Sequence, residues 1–267
     1  MKNLIYSLTA CALLLTSCKK DETVDEQPVQ NTEAAYPTKI VSTYINATTT
    51  STVNLFEFEY SAKKEVTKIK YYNSDSIYTA ITYDASGRLS KLGTAKNANA
   101  IKVDYTSAGE VAKVTEIFRG AGPGGLTENF RTFEYSNGQI SKTNFYYGST
   151  VLLRSQIYTT DATGNITSAE YVQGTSKNIA TFSYTDKLNP LYSLKKNPSF
   201  AFLPEGLWTN IEIILFSKYL IKEFAYTGDG TRLYSYDFDT KGRIAKISVA
   251  NKTSGTVYQT FAISYLD

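Results

Sequence analysis

The sequence contains no histidine and very little of several other reactive residues. Its 267 residues include 2 cysteines, 1 methionine and 1 tryptophan. Without histidine the chain lacks the usual general base of enzymes and the commonest zinc ligand. Nucleophile–histidine pairs of the kind used by serine and cysteine hydrolases are therefore excluded. We expect no catalytic residue of that type, no metal site and no cofactor.

Charge is also sparse and evenly balanced. The 28 basic residues are nearly matched by 25 acidic ones, for a net charge of +3, and the basic residues are scattered singly. Proteins that bind nucleic acid through its phosphates concentrate lysine and arginine on one face. We therefore expect no nucleic-acid partner.

Aromatic residues are abundant. The chain has 22 tyrosines and 13 phenylalanines, with 42% hydrophobic and 20% charged residues overall. The proportions of hydrophobic and charged residues are those of a globular protein, and the aromatic content favours β-strands over helices. The length allows one large β domain or two small ones.

The first 17 residues are typical of a signal peptide. Lys2 precedes an apolar stretch from Leu4 to Leu15 that is too short to span a bilayer as a permanent helix. The stretch ends in Leu-Thr-Ser-Cys at 15–18, which resembles the lipobox of bacterial lipoproteins. That resemblance implies that Cys18 is acylated and becomes the first mature residue. The alternative is an ordinary secretory peptide with an incidental cysteine.

The residues after Cys18 indicate where the protein is displayed. Lys19, Lys20, Asp21 and Glu22 resemble the export signal of surface lipoproteins in Bacteroidota, which implies an outer-membrane protein facing outward. The alternative is the solvated start of a tether on a protein that faces the periplasm. Residues 18–36 are polar and acidic, so we predict a disordered tether and contact with the membrane through the lipid anchor only.

Residues 37–267 contain a repeat. Its clearest copies are Ile-Thr-Tyr-Asp-Ala-Ser-Gly-Arg-Leu-Ser-Lys-Leu at 81–92 and Tyr-Asp-Phe-Asp-Thr-Lys-Gly-Arg-Ile-Ala-Lys-Ile at 236–247. A short polar segment ending in glycine predicts a hairpin turn with that glycine in the left-handed region. Lys64 and Asn189 stand in the glycine position of two degenerate copies. The predicted turn glycines are Gly87, Gly109, Gly138, Gly164 and Gly242.

Each copy shows the pattern of a half-buried hairpin. Aromatic residues alternate before the turn, as in Phe56 and Phe58, with Glu57 and Glu59 on the opposite face. Counted from the glycine, apolar residues recur at +2, +5 and usually +7. Because the step from +2 to +5 is odd, +2 belongs to the turn or to a bulge. A lysine recurs at +4, namely Lys68, Lys91, Lys113, Lys142 and Lys246. These lysines are interpreted either as a row of binding groups or as residues that solvate the outer face and protect it from edge pairing.

These hairpins predict an all-β fold, an up-and-down antiparallel meander of about fifteen strands. A sheet of that size must curve strongly or close to protect its edges. We therefore expect a curved or barrel-like sheet with aromatic residues on its inner face. A partial copy at 261–265 is predicted to end the chain as a lone strand.

The core of the repeat resembles the YD repeats of RHS-type proteins. The matching segments are Tyr-Asp-x-x-Gly-Arg-Leu at 83–89 and Phe-Asp-x-x-Gly-Arg-Ile at 238–244. Residues 18–267 as a whole are similar to uncharacterised Bacteroidota lipoproteins that carry such repeats. The resemblance implies a porin-like antiparallel sheet and no particular activity.

The repeat is interrupted between residues 190 and 218. Pro204 precedes apolar residues at helical spacing, which predicts a short helix over 204–216 that includes Trp208. One interpretation is a cap on the open end of the sheet. The other is the lid or floor of a ligand site, with Trp208 in contact with the ligand.

One candidate modification site stands out. Asp75-Ser76-Ile77 resembles the O-glycosylation site of exported Bacteroidota proteins, and it lies in a predicted turn over residues 73–76. The alternative is that aspartate and serine occur there because turns favour them.

The sequence thus favours a non-enzymatic, lipid-anchored envelope protein that serves as a binding or structural module with a glycan or protein ligand. A second hypothesis is a surface glycan hydrolase that uses two carboxylates. A third is a self-associating envelope component. The oligomeric state does not follow from the sequence.

Overall fold

The structure, a computed structural model, describes residues 36–72, 74–94, 97–119, 126–148, 151–192 and 217–266. Sixteen β-strands account for most of these residues. The strands are β1 Pro37–Ile45, β2 Thr50–Tyr60, β3 Val66–Tyr71, β4 Ser74–Tyr83, β5 Leu89–Thr94, β6 Asn97–Tyr105, β7 Val111–Arg119, β8 Leu126–Ser136, β9 Gln139–Tyr147, β10 Val151–Thr160, β11 Ile166–Gln173, β12 Ser176–Leu188, β13 Tyr219–Tyr226, β14 Gly230–Phe238, β15 Ile244–Asn251 and β16 Val257–Tyr265.

The strands form one closed antiparallel barrel. Each strand pairs with its neighbours in sequence, and β1 pairs with β16, for example through Ile40 opposite Ile263. The buried side chains of Ser42 and Gln259 are hydrogen-bonded across this seam at 3.0 Å. The predicted all-β meander is confirmed. The partial copy at 261–265 forms part of the single last strand β16, which pairs with both β15 and β1 and closes the barrel.

The apolar residues of the repeat line the inner face of the barrel. Leu89 and Leu92, at +2 and +5 from Gly87, are 0% and 1% exposed, and Ile244 and Ile247 have the same role after Gly242. Together with the aromatic residues that alternate before each turn, they form one buried cluster. Burial of this apolar surface is the main force that stabilises the barrel.

The repeat turns have the predicted geometry. In the turn after β4, the Asp84 amide donates to the Arg88 carbonyl at 2.7 Å, and the Gly87 amide donates to the Asp84 carbonyl at 3.0 Å. Gly87 lies in the left-handed region at φ +75°, which a glycine adopts without steric cost. All five predicted turn glycines have positive φ, and Lys64 in the degenerate copy has φ +61°.

A β-bulge follows each of these turns, as the odd spacing predicted. Thr82 lies opposite Lys91 while Tyr83 lies opposite Leu89, so Ser90 is the extra residue. The Ser90 hydroxyl donates a hydrogen bond to the Thr82 carbonyl at 3.1 Å. Hydroxyl residues at the same position make the equivalent bond in three other copies, namely Thr67, Ser141 and Thr167.

Two local predictions are wrong. Asn189 does not have the positive φ of a turn glycine. It is buried after β12, where its side-chain amide donates to the Ser217 carbonyl and its side-chain oxygen accepts from the Leu191 amide. The turn predicted over residues 73–76 is shorter than expected, because Ser74 already pairs with Tyr71. Ser76 therefore lies within β4.

Several predicted features lie outside the described residues. These are the acylated Cys18, the export signal at Lys19, Lys20, Asp21 and Glu22, the tether, and the helix over 204–216 with Trp208.

Candidate functional site

In most of the described copies a tyrosine at the end of the strand makes a hydrogen bond to the neighbouring repeat. The phenol of Tyr83 donates to the main-chain carbonyl of Val66 at 2.8 Å, and the phenol of Tyr105 donates to that of Leu89 at 2.7 Å. In both pairs the acceptor is the +2 residue of the preceding copy. We call the set of seven such bonds the tyrosine belt; its other donors are Tyr60, Tyr135, Tyr184, Tyr236 and Tyr265.

Burial keeps the belt phenols protonated. Loss of solvent raises the pKa of Tyr105, Tyr135 and Tyr184 to about 12, and it raises the pKa of Tyr60 and Tyr236 further. A phenol that stays protonated remains a hydrogen-bond donor. The belt therefore joins adjacent hairpins under any physiological condition.

The aspartate and arginine of the repeat are engaged with each other and with this belt. In the turn at Gly242, the Arg243 Nε donates to the Asp239 Oδ2 at 2.7 Å, and the guanidinium lies 4.6 Å from the ring centre of Tyr265. Arg88 repeats the arrangement, with Asp84 as its partner and the Tyr105 ring 4.9 Å away. The residues that define the repeat motif thus have a structural role.

The outer wall of the barrel carries many charged side chains. Lysines on one strand pair with acidic residues on the adjacent strand, with N–O distances between 2.7 and 3.7 Å. These pairs occur on both sides of the β1–β16 seam. They are Lys39 with Glu57, Lys68 and Lys70 with Glu59, Lys142 with Glu134, Lys177 with Glu170, and Lys246 with Asp237.

The register explains the recurring lysine at +4. The bulge places it directly opposite the residue before the turn tyrosine, and that residue is acidic for Lys68 and Lys142. In these copies the lysine is ion-paired rather than offered to a ligand. Lys91 differs, because Thr82 lies opposite it on one side and Lys102 lies opposite it on the other.

Lys91 and Lys102 begin a continuous row on the outer wall that crosses six strands. Each residue of the row is the direct cross-strand partner of the next, from β5 to β10. At about 4.8 Å per strand the row is about 24 Å long. We call it the β5–β10 row, and it consists of Lys91, Lys102, Thr115, Phe130, Tyr146 and Leu152.

The two ends of this row differ in chemistry. Lys91 and Lys102 are exposed, and neither makes an ion pair or hydrogen bond within the part of the chain that the structure describes. Like charges directly opposite each other destabilise a sheet. At the other end, the rings of Phe130 and Tyr146 are stacked with their centres 4.5 Å apart, and Leu152 is 52% exposed.

A second row of hydrogen-bonding groups runs beside the β5–β10 row, two residues closer to the repeat turns along each strand. The Asn144 side chain donates to the Glu134 carboxylate at 3.0 Å and accepts from the Ser155 hydroxyl at 2.7 Å. Lys113 belongs to this row, and its ammonium lies 4.1 Å from the ring centre of Phe130. The surface therefore combines cations, apolar side chains and amide, hydroxyl and carboxylate groups.

The inner wall also changes character at β8–β10. Phe145 lies between Arg131 and Arg154 of the adjacent strands, whose guanidinium carbons are 5.5 and 5.1 Å from its ring centre. Thr160 occupies the position of the belt tyrosine in this copy. The described sector β8–β10 thus departs from the apolar pattern that the other copies share.

The described residues hold no group of three or more acidic, cysteine or histidine side chains placed to bind a metal ion. A helix long and apolar enough to cross a membrane is likewise not found among them.

Comparison with known proteins identifies the fold. No protein-family model matches the chain, and no curated protein matches its sequence. Its structure is similar to that of a porin-like protein from Bacteroides uniformis ATCC 8492, with a TM-score of 0.58 and 10% identity over 86% of this chain and 98% of the other. A porin-like protein from Bacteroides vulgatus ATCC 8482 gives a TM-score of 0.50 and 13% identity over 87% and 99%.

This likeness confirms the porin-like antiparallel sheet that the resemblance to repeat-bearing lipoproteins implied. At these identities it shows the fold alone. Lipidation, surface export and the relation to YD repeats remain predictions.

The β5–β10 row was not found from the sequence. Lys91 and Lys113 were recognised only as members of the +4 series. The residues that join them into one surface lie on different strands, and their alignment depends on the bulges between those strands. One sequence signal could have pointed to this surface: Thr82 stands where other copies have an acidic residue opposite the +4 lysine, so Lys91 has no cross-strand acidic partner there.

Proposed function

We propose that this protein is a non-enzymatic binding or structural module of the cell envelope, held at the outer membrane by lipid on Cys18 and displayed outward on its tether. The observation that carries the proposal is the polarity of the barrel walls. Outside β8–β10 the described inner wall is apolar and buried, whereas the outer wall carries cross-strand ion pairs.

This polarity is the reverse of that of a barrel embedded in lipid. Barrels that span the outer membrane have an outward apolar band and a polar lumen. Here, Lys39–Glu57 and Lys142–Glu134 lie on the outer wall, and moving such charges into hydrocarbon is costly. The outer wall is therefore suited to contact with water, and attachment to the membrane falls to the lipid on Cys18.

The roles of the repeat residues support the non-enzymatic part of the proposal. Asp84 and Asp239, the acids of the two clearest copies, accept hydrogen bonds from their own turns and pair with arginines. Acids on the outer wall pair with lysines, as Glu170 does with Lys177. These carboxylates stabilise the barrel.

Replacing Cys18 tests the proposal. In Cys18→Ala we expect no incorporation of labelled fatty acid, which leaves an uncleaved or soluble protein. Cys11→Ala is the matched control, because Cys11 lies in the predicted signal peptide, and it should behave as the parent does. Unchanged incorporation of fatty acid in Cys18→Ala would contradict the lipid anchor.

Display of the protein on the outer face of the membrane is tested by replacing the predicted export signal. Replacing Lys20, Asp21 and Glu22 together with alanine should leave the protein lipidated but protected from protease added to intact cells. Equal digestion of the parent and the variant would contradict the export signal.

A further inference from the structure

We propose that the β5–β10 row binds an acidic polysaccharide, with Lys91 and Lys102 pairing with its carboxylate or sulfate groups. This inference rests on the proposed function and names the class of partner. It begins from the one place on the described outer wall where two lysines lie directly opposite each other.

The charge at Lys91 and Lys102 favours an anionic partner. Six lysines elsewhere on the described wall have a carboxylate within 4 Å on the next strand, whereas these two face each other. Their mutual repulsion is relieved when an anion lies between them. Lys113 adds a third positive charge nearby, and Asp104 directly opposite it offsets one of the three.

The rest of the row favours a carbohydrate. Phe130, Tyr146 and Leu152 continue the line of the lysines, and the exposed Leu152 side chain offers apolar surface to the C–H groups of a sugar ring. Beside them, the buried Asn144 side chain holds the Glu134 carboxylate and the Ser155 hydroxyl, whose oxygens can accept hydrogen bonds from sugar hydroxyls. The row is about 24 Å long, which is enough for several sugar units side by side.

The same features disfavour two other polyanions. A nucleic acid stacks its bases on open aromatic faces, but Phe130 is covered by Tyr146 on one side and by the Lys113 ammonium 4.1 Å from its ring centre. An anionic bilayer would meet the ion-paired wall on both sides of the row.

The test uses the full-length protein purified in detergent. The probes are polygalacturonate for carboxylates and heparin for sulfates, with dextran as the neutral polymer. We expect binding to at least one acidic polymer that weakens as salt is added, and no binding to dextran. Phosphatidylglycerol vesicles and single-stranded DNA serve as competing anions, and tighter binding to either would overturn the assignment to a polysaccharide.

Charge reversal then locates the site. Lys91→Glu with Lys102→Glu should weaken binding to the acidic polymer by at least about tenfold, which corresponds to about 1.4 kcal/mol. Lys177→Glu with Lys246→Glu is the matched control, because it makes the same change of charge elsewhere on the outer wall, and it should change the affinity by less than about twofold. Leu152→Asn should weaken binding about threefold while leaving its salt dependence unchanged.

Equal effects of the two double variants would overturn the assignment to this row. Failure of the parent to bind either acidic polymer would overturn the inference as a whole. Neither result bears on the anchored module, because that proposal depends on the incorporation of fatty acid at Cys18.

Discussion

The Tyr83 phenol donates a hydrogen bond to the main-chain carbonyl of Val66, 2.8 Å away in the preceding repeat. The two residues lie 17 positions apart, and both belong to the inner wall of the barrel. A repeat of this kind therefore does more than continue the sheet. Most of the described copies supply a side-chain donor for the copy before them, in addition to the main-chain hydrogen bonds between strands.

Removing one belt hydroxyl tests its contribution to stability. Tyr83→Phe keeps the ring and leaves the Val66 carbonyl without this donor, so we expect a loss of about 1 kcal/mol in the free energy of unfolding. Urea denaturation of the full-length protein measures the change. Tyr147→Phe is the control, because Tyr147 is 59% exposed, and it should change stability little. Similar changes in both variants would argue against the belt.

The belt also predicts a dependence of stability on alkaline pH. Burial raises the pKa of Tyr184 from its ordinary value of 10.0 to about 12. A raised pKa in the folded state means that the stabilisation is complete below the unfolded value of 10.0 and is lost as the pH rises from there towards 12. Urea denaturation at increasing pH should therefore show a decline above about pH 10 that is smaller in Tyr184→Phe.

Substitution of a turn glycine tests the effect of backbone strain on stability without the effect of steric crowding. Gly242 has φ +74°, and nothing lies within 4 Å of the position that a Cβ would occupy. Gly242→Val should therefore destabilise the protein through its backbone conformation alone, by about 1–3 kcal/mol, whereas Gly242→Asn should cost less. Chemical denaturation of both variants gives the comparison. A valine variant as stable as the parent would contradict the left-handed turn.

The turn aspartates predict a loss of stability in acid. Burial acts to raise the pKa of Asp239, but hydrogen bonds from the amides of Arg243 and Lys241 and from the Arg243 side chain outweigh it, so the pKa lies below its usual value of 3.8. A lowered pKa in the folded state gives stabilisation that is present above the unfolded value and is lost as the pH falls through the folded one.

Asp239→Asn should therefore be less stable than the parent near neutral pH, and the difference should shrink below about pH 4. Asp237→Asn is a suitable control, because Asp237 is two positions away with its side chain 71% exposed. Denaturation curves across this pH range measure both variants. A constant difference between Asp239→Asn and the parent would contradict a role for the charge.

The inner wall was largely predictable because its determinants are local. The alternation of Phe56 and Phe58 and the spacing of Leu89 and Leu92 from Gly87 assign those side chains to the core, and the structure agrees. The bulge also followed from the odd step between +2 and +5. Only short-range geometry is needed for these inferences.

The outer wall could not be predicted in the same way. Which residues meet across strands depends on register, and a bulge shifts the register at nearly every hairpin. The alignment of Lys102 with Thr115 and of Phe130 with Tyr146 is the sum of several such shifts. The acceptors of the tyrosine belt could not be predicted for another reason. They are main-chain carbonyls, which every residue has, so the sequence does not indicate which of them accepts.

The seam between β1 and β16 has a consequence for how the chain folds. Ser42 and Gln259 meet there although they are 217 positions apart, so this contact closes the longest loop among those that join neighbouring strands. Until they meet, the sheet is an open ribbon whose two outermost strands expose unpaired amides and carbonyls to other chains. Formation of the seam turns that aggregation-prone ribbon into a ring, and we expect closure to limit the rate of folding.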